Sequence, residues 1–233
     1  MPADRRCYPV VLKLRDRPVV VIGGGRVATR KVAELLPTGA RVTVVSPTLS
    51  VRLARWAREG RLRHRARTYR RGDLKGSCLA VAATSDPDEQ VRIAAEARAS
   101  STWVNVVDRP SLCDVLAPAV LRRGELTIAV STGGRNPALA RWIRSRLAAL
   151  VGEEYARLTR LLAAVRIALR EKGVPPTRRR EMIDRLMAAD LPALVRDNDR
   201  DGIVRLIRRV TGLAAMSLSP RAPRTRRTAK RRP

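Results

Sequence analysis

A glycine-rich segment near the N-terminus has the residue types and spacing of a phosphate-binding loop. Gly23 ends the β-branched run PVVVIG, Gly25 follows two residues later, and Ala28 comes three residues after Gly25 at the start of a helical pattern. In such a Gly-x-Gly-x-x-Ala loop, the first glycine permits the tight turn and the second lets the backbone approach a pyrophosphate. The N–H groups at the helix N-terminus can then bind the phosphates. The segment therefore predicts a dinucleotide site.

The residue that usually holds the adenosine ribose of a dinucleotide is missing. An acidic residue at the end of the second strand normally binds the ribose 2′-hydroxyl, but this chain has Val45-Ser46-Pro47-Thr48 there. Ser46, Thr48 or backbone groups would have to serve instead. NADP is not indicated either, because the nearest arginine along the sequence is Arg52.

A second group of polar residues lies in VNVVDRPSLCD, residues 104–114. Asn105 and Asp108 come at the carboxyl end of a predicted strand, where open α/β sheets bind their ligands. A carboxylate there can act as a general base. Asp108 could equally cap the turn before Pro110, and spacing alone favours that simpler role. For Cys113 we expect inert packing rather than metal ligation.

A third candidate is STGGRNPALAR, residues 131–141, where two hydroxyls and two glycines precede a helix. Pro137 suits the first turn of that helix. The segment could bind an anion, or it could be only a turn between a strand and a helix. Spacing alone leaves these two interpretations open.

The hydrophobic pattern indicates how these segments are positioned. Strands alternate with helices up to Pro110, which predicts a doubly wound parallel sheet. One further strand follows at residues 126–132, and the chain is then helical from Asn136 almost to its end. The predicted strands are residues 18–23, 40–45, 62–68, 78–84 and 102–108, and the predicted helices are residues 26–36, 48–59, 87–99, 137–150, 153–171, 178–189 and 200–210.

The net charge of +28 suggests a nucleic-acid-binding protein. Only residues 219–233 concentrate basic side chains, however, and the remaining arginines are spread along the chain. The absence of phenylalanine and a total of three tryptophans and three tyrosines leave little for base stacking. We expect Trp56, Trp103 and Trp142 to lie in the core. No apolar run is long enough for a membrane span.

The cysteine and histidine content restricts which kinds of protein and which metal sites remain possible. Three widely spaced cysteines do not form a disulfide framework and are typical of a reducing cytoplasm. No secretory leader is apparent. His64 is the only histidine, so no metal site with several histidines is possible within one chain. We expect His64 at the surface or at the edge of the core.

Taken together, these segments resemble the precorrin-2 dehydrogenase, or siroheme synthase, family in its stand-alone bacterial form. The similarity rests on YPVVLKLRDRPVVVIGGGRVATRKVAELL, VTVVSP, LAVAATSD, VNVVDRPSLCDV and PAVLRRGELTIAVSTGGRNPALARWIRSRL. It is close over residues 8–150 and loose to about residue 212. The combination of Arg30-Lys31 with the second and third segments is more specific than the glycine motif alone.

The resemblance implies a Rossmann-type NAD-binding domain over residues 1–113. It further implies a dimerisation domain over 114–149, a helical domain over 150–216 and a disordered basic tail over 217–233. The implied activity is NAD-dependent oxidation of precorrin-2 to sirohydrochlorin by a cytoplasmic homodimer. Some members also insert Fe²⁺ or Co²⁺, and the sequence does not separate the two kinds. The alternative is a nucleic-acid-binding protein on a nucleotide-binding fold.

The resemblance also assigns roles to individual residues. The family lacks the acid after its second strand and still uses NAD, and its functional aspartate corresponds to Asp108, which becomes the catalytic candidate. The expected cofactor contacts are Gly23, Gly24, Gly25, Arg26, Val27, Pro47, Thr48 and Thr84. The expected substrate contacts are Asn105, Arg109, Thr132, Gly133, Gly134, Arg135 and Arg141. No resident metal is expected.

Overall fold

The computed structural model describes residues 7–214. These residues form two compact units, one made of residues 7–118 with Ser131–Pro137 and the other of Ala119–Val130 with residues 138–214. The strands are β1 Pro18–Ile22, β2 Arg41–Val45, β3 Arg63–Arg65, β4 Leu79–Ala82, β5 Trp103–Val106, β6 Ala119–Arg123 and β7 Leu126–Val130. The helices are α1 Arg26–Leu35, α2 Val51–Arg58, α3 Pro87–Ala99, α4 Pro137–Leu150, α5 Glu154–Glu171, α6 Pro176–Ala188, α7 Leu191–Arg196 and α8 Arg200–Thr211.

The first unit contains a five-stranded parallel sheet in the order β3-β2-β1-β4-β5. This arrangement confirms the predicted Rossmann-type fold. The chain moves outward from β1 to β3 and then crosses to β4, so the strand order reverses between β1 and β4. The crevice at the carboxyl ends of these two strands is where such folds bind ligands.

Helices cover both faces of the sheet, which explains the continuous apolar runs of β1 and β4. On one face, Val32 of α1 and Leu53 of α2 are fully buried against residues of β1 and β2. On the other face, Ile93 of α3 is fully buried in a cluster with residues of β4 and β5. These two layers keep the strand ends, and therefore the candidate site residues, in fixed relative positions.

The second unit contains the antiparallel pair β6–β7 and a cluster of helices. Helices α5 to α8 bury Val165, Leu169, Leu186, Leu191 and Ile207 completely. Strand β6 and helix α7 were not predicted. The apolar run of β6, AVLRR, ends in two arginines, and α7, LPALVR, contains a proline, so neither sequence has a clear strand or helix pattern.

Two tryptophans correct the expectation that all three lie in the core. Trp56 is 6% exposed, but Trp103 is 49% and Trp142 is 60% exposed. Trp103 opens the edge strand β5, and Trp142 lies on a face of α4 that other described residues leave uncovered. Among the described residues, no helix is both long and apolar enough to cross a membrane. The predicted disordered tail lies outside the described residues.

Candidate active site

The glycine loop lies between the segments that follow β2 and β4. Gly23 has a φ of +113°, a conformation that L-residues rarely adopt, and its N–H donates to the Val45 carbonyl at 2.9 Å. A Cβ at Gly23 would lie 2.6 Å from the Ala83 carbonyl oxygen. The first glycine is therefore required by both backbone conformation and space, as the motif predicts.

Gly24 has a packing role that the motif does not indicate. A Cβ on this residue would lie 1.9 Å from the Thr48 carbonyl oxygen and 2.7 Å from the Ser46 hydroxyl oxygen. The Gly24 carbonyl accepts a hydrogen bond from the Ser50 N–H at 2.8 Å. The middle glycine thus lets the segment after β2 close onto the loop, which brings Pro47 and Thr48 beside the start of α1.

Gly25 provides the open approach that a phosphate needs. It is exposed, it caps α1, and a Cβ there would meet nothing within 4 Å. No side chain caps the helix, and its first turn, which begins Arg26-Val27, holds no acidic residue. The helix N-terminus therefore presents its N–H groups and positive dipole end to this space. These features fit the pyrophosphate of a dinucleotide.

Thr84 lies on the other side of the crevice, directly after β4. Its hydroxyl accepts from the Asp86 N–H at 3.3 Å, and its carbonyl accepts from the Gln90 side chain at 2.9 Å. Asp86 in turn caps α3. The half-buried Thr84 is thus held in place at the edge where a dinucleotide would cross the sheet.

Asp108 occupies a sharp turn at the carboxyl end of β5. It is exposed and has a φ of +60°, a left-handed conformation in which aspartate is enriched. Such backbone strain in a non-glycine residue is common at functional sites. The following 3₁₀ helix, Pro110–Leu112, begins after Arg109, whose side chain does not cap it. The position of Asp108 at the strand end allows either a turn-forming or a catalytic role.

Asn105 and Cys113 hold this turn from beneath. The Asn105 amide donates to the Val115 carbonyl at 2.9 Å, and the Cys113 Sγ accepts from the Val106 N–H at 3.1 Å. The single thiol proton can be donated to the Val106 carbonyl at 3.2 Å or to the Arg109 carbonyl at 3.4 Å. Burial raises the pKa of Cys113, which fits the expected inert packing role. The observed bonds of Asn105 are positioning contacts within the protein.

In the folded protein, the glycine turn of the third candidate segment packs against the second candidate segment, residues 104–114. A Cβ at Gly134 would lie 3.2 Å from the Pro110 side chain, so the glycine turn packs directly on the turn that carries Asp108. Gly133 and Gly134 both have positive φ, 63° and 79°. The Thr132 hydroxyl accepts from the Asn136 N–H at 3.0 Å. The two segments therefore form one composite surface within the first unit.

Lys31 is a charged residue close to this surface. The sequence assigned it no role beyond its place in the Arg30-Lys31 pair. Lys31 is half-buried on α1, and burial lowers the pKa of its ammonium. The negative charges of Glu34 and Asp108 oppose that shift. The second turn of α1 thus places a cation within electrostatic range of the Asp108 carboxylate. A lysine inside an amphipathic helix gives no sequence signal for such a contact.

The remaining predicted residues differ in their placement. Arg109 donates to the Pro87 carbonyl at 3.1 Å, and Arg135 is exposed next to the glycine turn. Arg141 is exposed on α4, in the second unit. His64 is exposed on β3, as expected, with Nε2 2.9 Å from the Ser46 carbonyl oxygen. Within residues 7–214, no group of three or more His, Cys, Asp or Glu side chains could hold a metal ion.

Two family models match the chain. Residues 10–119 match the family described as putative NAD(P)-binding, and residues 123–150 match the sirohaem biosynthesis protein central family. Siroheme synthase from Methylobacillus flagellatus is 44% identical over 164 residues, which is 70% of this chain and 35% of that protein. Siroheme synthase from Methylococcus capsulatus is 37% identical over 199 residues, 84% of this chain and 42% of that protein.

The chain thus spans well under half the length of these curated relatives. A solved structure named SirC, precorrin-2 dehydrogenase, superposes with a TM-score of 0.70 at 28% identity. That superposition covers 89% of this chain and 100% of the other. The ranges matched by the two family models include the glycine loop, the Asp108 turn and the glycine turn at residues 133–134. The chain belongs to the siroheme synthase and precorrin-2 dehydrogenase family.

Proposed function

We propose that this chain is the dehydrogenase that oxidises precorrin-2 to sirohydrochlorin with NAD⁺, in the synthesis of siroheme. The observation that carries the proposal is the placement of two features at one edge of one sheet. The helix N-terminus at Gly25 lies at the carboxyl end of β1, and the Asp108 turn lies at the carboxyl end of β5. The full coverage of a structure named precorrin-2 dehydrogenase supports this substrate.

The reaction removes a hydride and a proton from the partly reduced macrocycle. Bound NAD⁺ supplies the acceptor for the hydride. Asp108 is an exposed carboxylate at this edge, and we assign it to accept the proton or to orient the ring. Lys31, half-buried on α1, places a positive charge within electrostatic range of this carboxylate. Asn105 and Cys113 keep the turn in place.

Substrate recognition needs positive charge, because the macrocycle carries several carboxylates. Arg135 lies beside the glycine turn that packs on the Asp108 turn, and arginine forks suit carboxylates. We propose Arg135 as the first substrate contact to test, with Arg109 next. Arg135→Ala should raise KM for precorrin-2 and leave the NAD⁺ affinity unchanged. An unchanged KM would remove Arg135 from the substrate site.

The proposal is tested by mixing the protein with precorrin-2 and NAD⁺ and following NADH absorbance. Asp108→Asn is the informative variant, because asparagine tolerates the left-handed backbone and only the carboxylate is lost. We expect its turnover to fall by roughly 100-fold or more, the range for a lost general base. Normal turnover in a folded variant would refute the role of Asp108, and no NADH from the unaltered protein would refute the activity.

Metal insertion is measured separately with the same preparation. Sirohydrochlorin and Fe²⁺ or Co²⁺ are supplied without oxygen, and formation of the metallated ring is followed by absorbance. A rate above the metal-only control would assign the chain both activities. A rate equal to that control would assign it the dehydrogenase alone.

We also propose that the chain is a homodimer formed through the second unit. A two-stranded sheet such as β6–β7 is marginal without a covering layer, and on α4 Trp142 is 60% and Leu150 is 73% exposed. A second copy would cover these side chains. Light scattering should give the mass of a dimer for the unaltered protein and of a monomer for Trp142→Ser. Trp103→Ser is the matched control and should stay dimeric, and a dimeric Trp142→Ser variant would contradict the proposed interface.

Three free thiols, Cys7, Cys78 and Cys113, lie among the described residues. Unpaired cysteines persist in a reducing compartment. They support our proposal that the protein works in the cytoplasm. Fractionation of cells that produce the tagged full-length protein tests this assignment.

A further inference from the structure

An arginine lies beside the expected ribose site, although the linear sequence places none close by. Strand β3 pairs with β2 so that Arg65 is opposite Val45, the last residue of β2. The Ser46 N–H donates to the Arg65 carbonyl at 3.2 Å. Arg52, the first arginine after residues 45–48, lies instead over the Trp56 ring at 4.7 Å. Arg65 is thus the cation that sheet pairing brings to the end of β2.

This position matters because dinucleotide-binding folds distinguish NAD from NADP at the end of the second strand. A carboxylate there selects the free 2′-hydroxyl of NAD, whereas an arginine nearby accommodates the 2′-phosphate of NADP. The chain has no carboxylate at residues 45–48, and the family model that covers this region is described only as NAD(P)-binding. The motif therefore leaves the choice between the two cofactors open.

The structure shows that Arg65 is already engaged, together with Arg67. Both guanidinium groups bind the carboxylate of Asp73, whose side chain is only 3% exposed. Arg65 Nη1 donates to Oδ1 at 2.6 Å, and Arg67 donates from Nη1 and Nη2 at 2.7 and 2.6 Å. The Arg70 N–H adds a fourth hydrogen bond at 2.9 Å. The hydrogen bonds from Arg67 lower the pKa of Asp73 to about 2, so the carboxylate is ionised throughout the neutral range.

The loop that carries Asp73 is anchored independently of this carboxylate. Leu74 is fully buried, and Glu96 of α3 accepts hydrogen bonds from the Gly72 and Leu74 N–H groups at 3.0 Å each. Tyr69 also donates to Glu96. Replacement of Asp73 therefore changes the charge that faces Arg65 and Arg67 while these other contacts keep the loop in place.

We infer that Asp73 makes this protein prefer NAD over NADP, because it holds Arg65 and Arg67 away from a 2′-phosphate. Asp73 acts as a positioning residue, since it reaches the cofactor only through the two arginines. A 2′-phosphate would have to compete with hydrogen bonds between opposite charges, which are the strong ones in proteins. The inference rests on the proposed dinucleotide site and adds the residue that sets its specificity.

The test compares two probes that differ only by the 2′-phosphate, 5′-AMP and adenosine 2′,5′-bisphosphate. Their affinities are measured by calorimetry, alongside those of NAD⁺ and NADP⁺. In Asp73→Asn, the affinity for adenosine 2′,5′-bisphosphate divided by the affinity for 5′-AMP should rise at least about tenfold, and the same ratio for NADP⁺ over NAD⁺ should rise with it. A rise of this size corresponds to about one new charge-assisted hydrogen bond. Arg65→Ala in the Asp73→Asn background should abolish that gain. A general loosening of the loop would weaken both probes alike and leave their ratio unchanged.

Arg65→Ala in the otherwise unaltered protein provides a check that does not depend on the stability of Asp73→Asn. Arg65 is about half exposed, and its removal should leave the ratio of the two probe affinities unchanged. A fall in the relative affinity of the 2′-phosphorylated probe would show that Arg65 already binds it, which overturns the inference. Normal NAD⁺ binding with an unchanged ratio in Asp73→Asn would also overturn it. Failure of the unaltered protein to bind NAD⁺ would instead refute the dinucleotide site itself.

Discussion

Substitution of Gly25 by alanine separates cofactor binding from folding. The added methyl group meets no protein atom within 4 Å, so it enters the space assigned to the pyrophosphate. Alanine is a poorer helix N-cap than glycine, but it also restricts the unfolded chain by about 0.4–1 kcal/mol. Because these two effects oppose each other, we expect the free energy of unfolding to change by less than about 1 kcal/mol.

The expected loss in cofactor affinity is much larger. A methyl group at Gly25 would hold the phosphate away from the N–H groups at the start of α1. A hydrogen bond to a charged group contributes about 1.5–3 kcal/mol, so one lost bond weakens NAD⁺ binding by roughly 10- to 100-fold. The dissociation constant is measured by calorimetry, and thermal unfolding is followed by circular dichroism on the same samples.

Gly24→Ala is the matched control, one residue away and with the same added methyl group. Its Cβ would lie 1.9 Å from the Thr48 carbonyl oxygen, so backbone has to move. Overpacking of this kind costs about 1–3 kcal/mol, and a backbone contact places it at the upper end. An unchanged NAD⁺ affinity in Gly25→Ala would falsify the assigned phosphate position. A Gly24→Ala protein as stable as the unaltered one would contradict the described loop packing.

Three further predictions concern the first unit. The pKa of Asp73 is lowered from 3.8 to about 2 in the folded protein, so its contribution to stability is present above about pH 4 and is lost as the pH falls towards 2. Urea unfolding should therefore show a smaller loss of stability over that interval for Asp73→Asn than for the unaltered protein. Cys113 has a raised pKa and is half-buried, whereas Cys7 is exposed, so iodoacetamide at neutral pH should alkylate Cys7 first by mass spectrometry; equal rates would contradict this. Ser50→Ala removes both the cap of α2, a hydrogen bond from the Leu53 N–H at 3.4 Å, and a 2.7 Å hydrogen bond between the Ser50 and Thr29 hydroxyls. It should cost at least about 1 kcal/mol in chemical unfolding; a cost near zero would show that neither bond contributes to stability.

Local sequence pattern was sufficient for most of the fold. The β-branched runs of β1 and β2, and the 3.6-residue spacing of Val32 and Leu35 in α1, depend on neighbours close in the chain. The alternation of strands and helices then leaves few topologies, because parallel strands need crossover connections. Strand β6 escaped prediction because its apolar residues are followed at once by Arg122 and Arg123, which interrupt such a pattern.

The exposure of individual side chains was predicted less well than the secondary structure. Trp103 and Trp142 occur in apolar patterns but are exposed, because a periodic pattern identifies a face and not what covers it. The same limit applies to Lys31, whose burial near Asp108 depends on how α1 packs on the sheet.

The sequence by itself determined that the first part of this protein is a dinucleotide-type fold, and it pointed to the glycine loop, the Asp108 segment and the 131–141 segment as candidate site segments. These follow from short-range spacing, which fixes backbone conformation and helix starts. Only the tertiary structure decided which segments meet. It places Gly134 on Pro110 beside Asp108, and it brings Arg65 to the end of β2 while Asp73 binds its guanidinium group. The physical reason is that strand pairing and loop packing join residues far apart in the chain, and no local pattern records which of them will touch.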